Sequence, residues 1–305
     1  MLPGHVQANT HATEEFPKVA TGSHSRLDPV RGHDYYVIMM KKHVDLFDTT
    51  YTNFTDTVHD AIRRETYGHD IGQTSWITAG EYDRLLPLLN LSAGSHVLEM
   101  ASGSGGPALY MARSTGARVT GLDVNESGVA TSNELAAKAG VGDRVRFQLG
   151  DANARAPFDD NSFDALICMD SMNHFPDRLS VFREWHRLLR PDGRAMFTDP
   201  CMITGPVTNE ELALRSSIGT FLFTPPGVNE SFIDQAGFRL VRREDASENC
   251  ALVAGRWRDA RANHRDALVK VEGEERYEGL QTFFDAVHRL TRERRLSRIL
   301  YVVEK

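Results

Sequence analysis

The chain has 305 residues, 41% of them hydrophobic and 25% charged, with a formal net charge of -7. That composition is ordinary for a globular protein and supports a core without disulfide staples. The acidic balance argues against a nucleic-acid surface as its main business, and Cys168, Cys201 and Cys250, scattered without CxxC spacing, predict neither a zinc site nor a disulfide framework.

Residues 1–30 are polar and proline-punctuated, and they are expected to be a mobile arm. They lack the basic start and apolar stretch of a secretory signal, and no apolar run approaches membrane-spanning length. A cytoplasmic protein with reduced thiols and no membrane partner is the expectation. Residues 31–92 read as a helical cap. Tyr36, Met39, Met40, His43 and Phe47 recur at helical spacing, and Tyr51, Phe54, Val58 and Ile62 continue it. Gly68 and Gly72 break the pattern, and Thr78 with Glu81 predicts a new helix through a capping box.

Strands are predicted at 96–100, 118–124, 144–150, 163–170 and 193–199, with helices near 107–115, 126–140 and 177–189. Apolar strands alternating with amphipathic helices imply a parallel sheet covered on both faces. Such sheets bind ligands at the carboxyl ends of their strands. Beyond residue 200, Thr208 with Glu211 forms a second capping box before TNEELALRSSIGTFLF. FIDQAGFRLVRRED reads as a short helix, a glycine stop and a strand. Long helices follow at about 249–270 and 274–294, with stripes at Trp257, Ala260, His264 and Leu268, and at Tyr277, Leu280, Phe284, Val287 and Thr291. SRILYVVEK closes the chain as a strand expected to enter antiparallel. The run TRERRLSR (291–298) reads as a solvated helix end.

The strand ends carry the chemistry. HVLEMASGSGGPALYMA is a strand, a glycine loop and a helix start, where free N–H groups and the helix dipole favour an anionic or polar ligand. Gly103-x-Gly105-x-x-Ala108 fits a dinucleotide fingerprint, and Glu99-x-Ala101-x-Gly103-x-Gly105 fits an S-adenosylmethionine (SAM) loop. Asp123, about 20 residues on, suits the ribose of either cofactor. The third strand ends in Gly150-Asp151-Ala152, the fourth in Met169-Asp170 before SMNHFPD, and the fifth follows the turn LLRPDGR. An oxidoreductase using NAD leaves Glu99 and Asp151 without a role. No clustered His and carboxylate ligands suggest a metal.

Taken in order, Glu99 with its glycine loop, Asp123, Gly150-Asp151-Ala152, FDALICMDSMNHFPD and LLRPDGRAMFTD resemble a class I SAM-dependent methyltransferase of the small-molecule branch. The resemblance covers about residues 66–199. It implies an α/β fold: a Rossmann-like, seven-stranded, mostly parallel sheet with helices on both faces. The methyltransferase domain would span 93–305. Lid helices at about 204–228 and 249–294 would form an insertion between the fifth strand and the last two. This terminal region resembles amine methyltransferases acting on phosphoethanolamine, glycine or sarcosine. Glu99 would hold the methionine part of SAM, Gly103 and Gly105 would pass beneath it, and Asp123 with Val124 would meet the ribose. Asp151 and Ala152 would meet the adenine, and Met169 the sulfonium end. Ala101 departs from the family, standing where its first loop glycine is found, and is small enough that binding is expected to survive. Gln73, Ser75 and Trp76 occupy the segment that in similar enzymes runs past the SAM carboxylate.

The resemblance implies a small-molecule methyl acceptor, with nitrogen or sulfur on an amino-acid-like or amine compound favoured; methionine S-methylation is one concrete case. A hydroxyl acceptor would need a base, for which His174 is the candidate, in balance with a role as pocket wall. Asn173 would orient the acceptor. Tyr35 and Tyr36 would fold over the pocket, where aromatic faces stabilise cations. Asp170 and Asp199 read most simply as caps. Of Arg215, Arg256 and Arg258 on the lid, one would pair with a substrate carboxylate, although solvent exposure is expected for any single one. A non-catalytic SAM-binding protein is the third reading, and assembly as a homodimer is left open.

Overall fold

The computed structural model describes residues 44–305. The arm of residues 1–30, and the expectations for Tyr35, Tyr36, Met39, Met40 and His43, lie outside the described residues. From residue 44 the chain forms α1 (Phe47–Thr52), α2 (Thr57–Tyr67) and α3 (Ala79–Leu85). The spacing from Phe47 to Ile62 predicted one continuous helix. It is two, because Asn53 takes the carbonyl of Thr49 with both its backbone N–H (3.0 Å) and its side-chain amide (2.9 Å), closing a turn. α3 starts at Thr78, whose hydroxyl accepts from the Glu81 N–H at 3.3 Å. Only that half of the predicted capping box forms, because the Glu81 carboxylate turns to Arg298 instead.

The sheet has seven strands: β1 (His96–Met100), β2 (Arg118–Asp123), β3 (Val145–Leu149), β4 (Phe163–Cys168), β5 (Leu189–Ile203), β6 (Arg239–Asp245) and β7 (Leu296–Glu304). Their order is β3-β2-β1-β4-β5-β7-β6. β1 to β5 pair in parallel, and β7 runs antiparallel between β5 and β6, as the short connection before it predicted. The crossovers are α4 (Gly106–Thr115), α5 (Glu126–Lys138) and α6 (Arg178–Leu188). Alternate residues of each strand face opposite layers. Leu98, Met100, Leu166 and Cys168 pack with Phe182 and Trp185 of α6. Val97 and Ile167 face the other way, toward Met111 of α4 and Tyr82 and Leu85 of α3. β5 begins four residues earlier than its apolar run predicted. The LLRPDGR turn is a bulge inside the strand, with Asp192 at φ 62° and a register shift against β4.

Five further α-helices follow β5. They are α7 (Asn209–Arg215), α8 (Val228–Gln235), α9 (Ser247–Asn263), α10 (Arg265–Glu272) and α11 (Glu274–Arg292). Three expectations are corrected. The helix opened by the Thr208 capping box stops at Arg215 rather than running through GTFLF. The helix expected over 249–270 breaks at His264, whose ring pairs with Glu65 at 2.6 Å. The insertion is divided, with α7 and α8 before β6 and α9 to α11 between β6 and β7. Trp257, Leu280, Phe283, Phe284 and Val287 form a separate core with Ile62 and Tyr67 of α2. The Trp257 and Phe284 rings stack at 5.5 Å and 4°.

The run TRERRLSR is not wholly solvated, because Arg298 is 0% exposed. Its Nε donates to Asp170 at 2.6 Å and its Nη1 to both oxygens of Glu81 at 2.8 and 3.0 Å. Asp170 is therefore an ion-pair partner rather than a cap. So is Asp199, fully buried and taken by Arg178, Thr224 and Asn229. Arg298→Met would leave Asp170 and Glu81 without their shared cation. Removing one member of a buried ion pair costs about 3–5 kcal/mol. A loss of that size is expected in urea unfolding, with the slope m unchanged.

Candidate active site

The parallel strands β1, β2 and β4 deliver their ends to one place. Glu99, buried in β1, precedes a loop in which Ala101, Gly103 and Gly105 all have positive φ, at 54°, 52° and 75°. Gly103 donates its N–H to Asp123 Oδ2 at 2.7 Å, and the Asn125 N–H donates to the other oxygen at 2.8 Å. The ribose candidate is thus fixed by backbone donors, with Val124 contributing a third. At Gly103 an added Cβ would lie 2.7 Å from the Tyr51 hydroxyl, and at Gly105 2.7 Å from Phe147 and Ser132. These positions need glycine for both conformation and space. Ala101 holds its left-handed conformation with a Cβ, at a cost of about 1–2 kcal/mol for a non-glycine residue.

Beside the loop lies a cavity open to one side. Glu99, Ala101, Gly103 and Met169 line one side, and Ser75, Trp76, Asn173, His174 and Arg215 contribute to the rest. Trp257, Phe283, Phe284 and Phe221 extend it under the lid. Several of its polar atoms are buried without a hydrogen-bond partner: Glu99 Oε2, Ser75 Oγ, Ser102 Oγ, Asn173 Oδ1, and Nε and Nη1 of Arg215. Buried polar groups are normally paired, so a cavity ringed by unpaired ones is built for a polar ligand.

The other sequence candidates sit elsewhere. Asp123 and Gly105 are behind the loop rather than among the cavity-lining residues. Val124 is 71% exposed, and Ala152 is buried in the sheet core. Asp151 is exposed and accepts from the Asn153 N–H at 2.8 Å. Gln73 does not face the cavity. Its amide oxygen accepts from the Ile71 N–H at 2.8 Å, so its polarity is used by its own loop. Arg215 corrects the expectation of a solvent-facing lid arginine, being 1% exposed. Sequence reasoning missed Tyr51, which α1 lays over Gly103, and the lid aromatics Phe221 and Phe283, which it had no stripe to single out.

Burial, and secondarily the charge of Asp123, push the Glu99 carboxyl up to about 8. Burial and the neighbouring Arg215 push His174 down to about 4. The His174 ring is held edge-on by Phe221 at 4.9 Å and Phe47 at 5.9 Å. Among the described residues, no group of three or more His, Cys, Asp or Glu is placed to hold a metal ion, and no helix is long and apolar enough to cross a membrane.

Comparison with known proteins identifies the class. Residues 98–197 match the model of a methyltransferase domain. Methyltransferase GfsG of Streptomyces halstedii is 34% identical over 205 residues, which are 64% of this chain and 70% of that protein. The 27-O-demethylrifamycin SV methyltransferase of Amycolatopsis mediterranei (strain S699) is 36% identical over 169 residues, covering 54% of this chain and 62% of that protein. The fold is that of Haemonchus contortus phosphoethanolamine N-methyltransferase 2 in complex with SAM, with a TM-score of 0.71 at 19% identity over 87% of this chain and 61% of that one. The chain belongs to the class I SAM-dependent methyltransferases. Family membership decides between the two readings of the glycine loop in favour of SAM.

The Glu99 carboxyl has a pH signature. As pH rises above 4.5 the unfolded side chain gives up its proton, while the folded one keeps it to about 8. The folded state then holds more protons, so stability falls with pH. Between pH 5 and pH 8 the ligand-free protein is expected to lose roughly 3 kcal/mol from this group. Glu99→Gln should remove that slope in urea unfolding followed against pH.

Proposed function

We propose that this protein transfers a methyl group from SAM to a small metabolite within the cavity, onto nitrogen or sulfur of an amino-acid-like or amine compound. The observation that carries the reading is the buried Glu99, its Oε2 without a partner, near the end of β1 on the wall of a cavity lined by aromatic lid residues. When bound, SAM would supply an electrophilic methyl carbon on a sulfonium, whose sulfur leaves as a neutral thioether and needs little help. Glu99 would accept from the ammonium of the methionine part, which as a cation would draw its proton off. Asp123 would accept from the ribose hydroxyls beside its backbone donors. Asn173 would orient the acceptor, and Trp76, Trp257 and Phe284 would keep water from the reacting centre. The helices of residues 44–67 and the lid would together form the cover.

His174 supports nitrogen or sulfur over oxygen. It stays neutral throughout the physiological range, but an imidazole with a pKa of about 4 is a weak base for an alcohol. Thioethers need no base, and a neutral amine loses its proton after transfer. Oxygen remains the second reading, favoured by the place of His174 on the cavity wall and by the name of the rifamycin relative.

Calorimetry with SAM tests cofactor binding. Asp123→Ala is expected to weaken it by one to two orders of magnitude, since it leaves ribose hydroxyls unpaired; unchanged affinity in a folded variant would refute the ribose role. Incubation with labelled SAM and a cell extract then identifies the product, and SAM binding without any labelled small molecule would favour a non-catalytic protein. His174→Gln should retain the methylation rate to within about 3-fold, whereas loss of a general base costs about 10²–10⁴-fold. A fall in that range would establish the oxygen reading.

A further inference from the structure

Arg215 has no carboxylate. Among the described residues, four other buried arginines each have at least one: Arg63 with Asp70, Arg178 with Asp199, Arg261 with Glu272, and Arg298 with Asp170 and Glu81. Arg215 ends α7 at 1% exposure, and its single hydrogen bond is a long one, from Nη2 to the Pro200 carbonyl at 3.4 Å. Its Nε and Nη1 have no partner. What surrounds it is aromatic, with its guanidinium carbon 5.0 Å from the Phe221 ring, 5.5 Å from Phe283 and 5.9 Å from Trp76. Ring faces ease a desolvated cation but leave its N–H donors unused.

The other ionisable groups on the cavity lining do not offset this charge. Asp170 is held by Arg298, Thr198 and the Trp76 N–H. Glu99 lies at the strand-end wall and His174 is neutral beside Arg215. A buried guanidinium without a counter-charge is costly, and the arrangement persists with least cost when a ligand brings the anion.

We propose that the acceptor substrate is a carboxylate with an apolar body, its carboxylate on Arg215 and its body among Phe221, Phe283 and Trp76. This rests on the reading of the cavity as a SAM-dependent acceptor site. A free ammonium or another cation without an acid group is excluded from that end by like charge. An amino acid is admitted only if its side chain satisfies the aromatic walls. The same donors would suit the carboxylate of the cofactor itself, which is the rival source of the anion.

Calorimetry on the protein saturated with S-adenosylhomocysteine distinguishes the two. The probes are acetate, benzoate and 3-phenylpropionate, each against its neutral amide. The larger acids are expected to bind at least 10-fold more tightly than their amides and than acetate. Arg215→Met should erase the acid preference, Arg215→Lys should restore part of it, and S-adenosylhomocysteine affinity should change less than 3-fold in both. A 10-fold or greater loss of S-adenosylhomocysteine affinity in a folded Arg215→Met would assign the arginine to the cofactor and overturn the proposal. So would equal binding of every acid and amide. Failure of the wild-type protein to bind S-adenosylhomocysteine would instead strike the cofactor reading, and the acid preference measured without it would still judge Arg215.

Discussion

The arrangement around the cavity hangs on the buried cation of Arg298. It stands in β7, the one antiparallel strand of the sheet, and reaches Asp170 at the end of β4 and Glu81 in α3. Asp170, at φ 58°, passes the connection on by accepting from the Trp76 N–H at 2.9 Å. Glu81 accepts from Asn249 of α9 at 2.6 Å. A single guanidinium thereby fixes the last strand, the loop after β4, the segment carrying Ser75 and Trp76, and the first turn of a lid helix. Two of these, the loop after β4 and the segment of Ser75 and Trp76, line the cavity directly. Such a charge would be costly alone, but here its Nε and Nη1 are spent in ion pairs and both carboxylates are shared with neighbouring segments.

The ends of the strands explain why so much of the sheet could be read from sequence. Continuous apolar runs such as HVLEM and FDALIC are what strands buried on both faces require, and a polar residue at or just past the end of each marks its carboxyl end. Glu99, Asp123 and Asp170 stand at those ends. The lid was less legible, because its helices are short and their boundaries depend on tertiary partners. His264 breaks a helical pattern where it meets Glu65, and Asn53 breaks another by folding onto Thr49. TRERRLSR looked solvated because four of its eight residues are arginine, and hydrophilicity says nothing of whether acids lie opposite. The two acids that bury Arg298 are 217 and 128 residues away in sequence. Arg215 was singled out from its place on the lid, but its burial could not be, since the rings around it come from three separate segments.

Ala101 shows how a departure from a family pattern is absorbed. The left-handed turn that a glycine would adopt freely is kept, so the geometry of the loop overrides the preference of the residue. The loop is over-determined. Asp123 holds the Gly103 N–H, Ser132 holds the Gly103 carbonyl at 3.0 Å, and the Ser104 hydroxyl donates to the Gly72 carbonyl at 2.6 Å. Strain of this size persists where the surroundings leave no alternative. The alanine methyl then becomes part of the cavity wall.

The charge states around that wall separate its two ends. Burial holds Glu99 protonated up to about pH 8 at the strand end, where a positively charged ligand would release the proton and gain a counter-ion. At the lid end, burial and the neighbouring Arg215 cation hold His174 neutral. On the reading proposed above, a cation would be welcomed at one end and an anion at the other, with aromatic surface around Arg215. That polarity would orient reactants before any contact at the reacting atoms is made. A sulfonium cofactor bound toward Glu99 and an acid anchored on Arg215 would meet between them. In-line transfer between two such reactants depends on alignment and on a dry path more than on proton transfer. His174, held neutral by burial and by Arg215, would fit that division of labour as a wall while the charges at either end do the positioning.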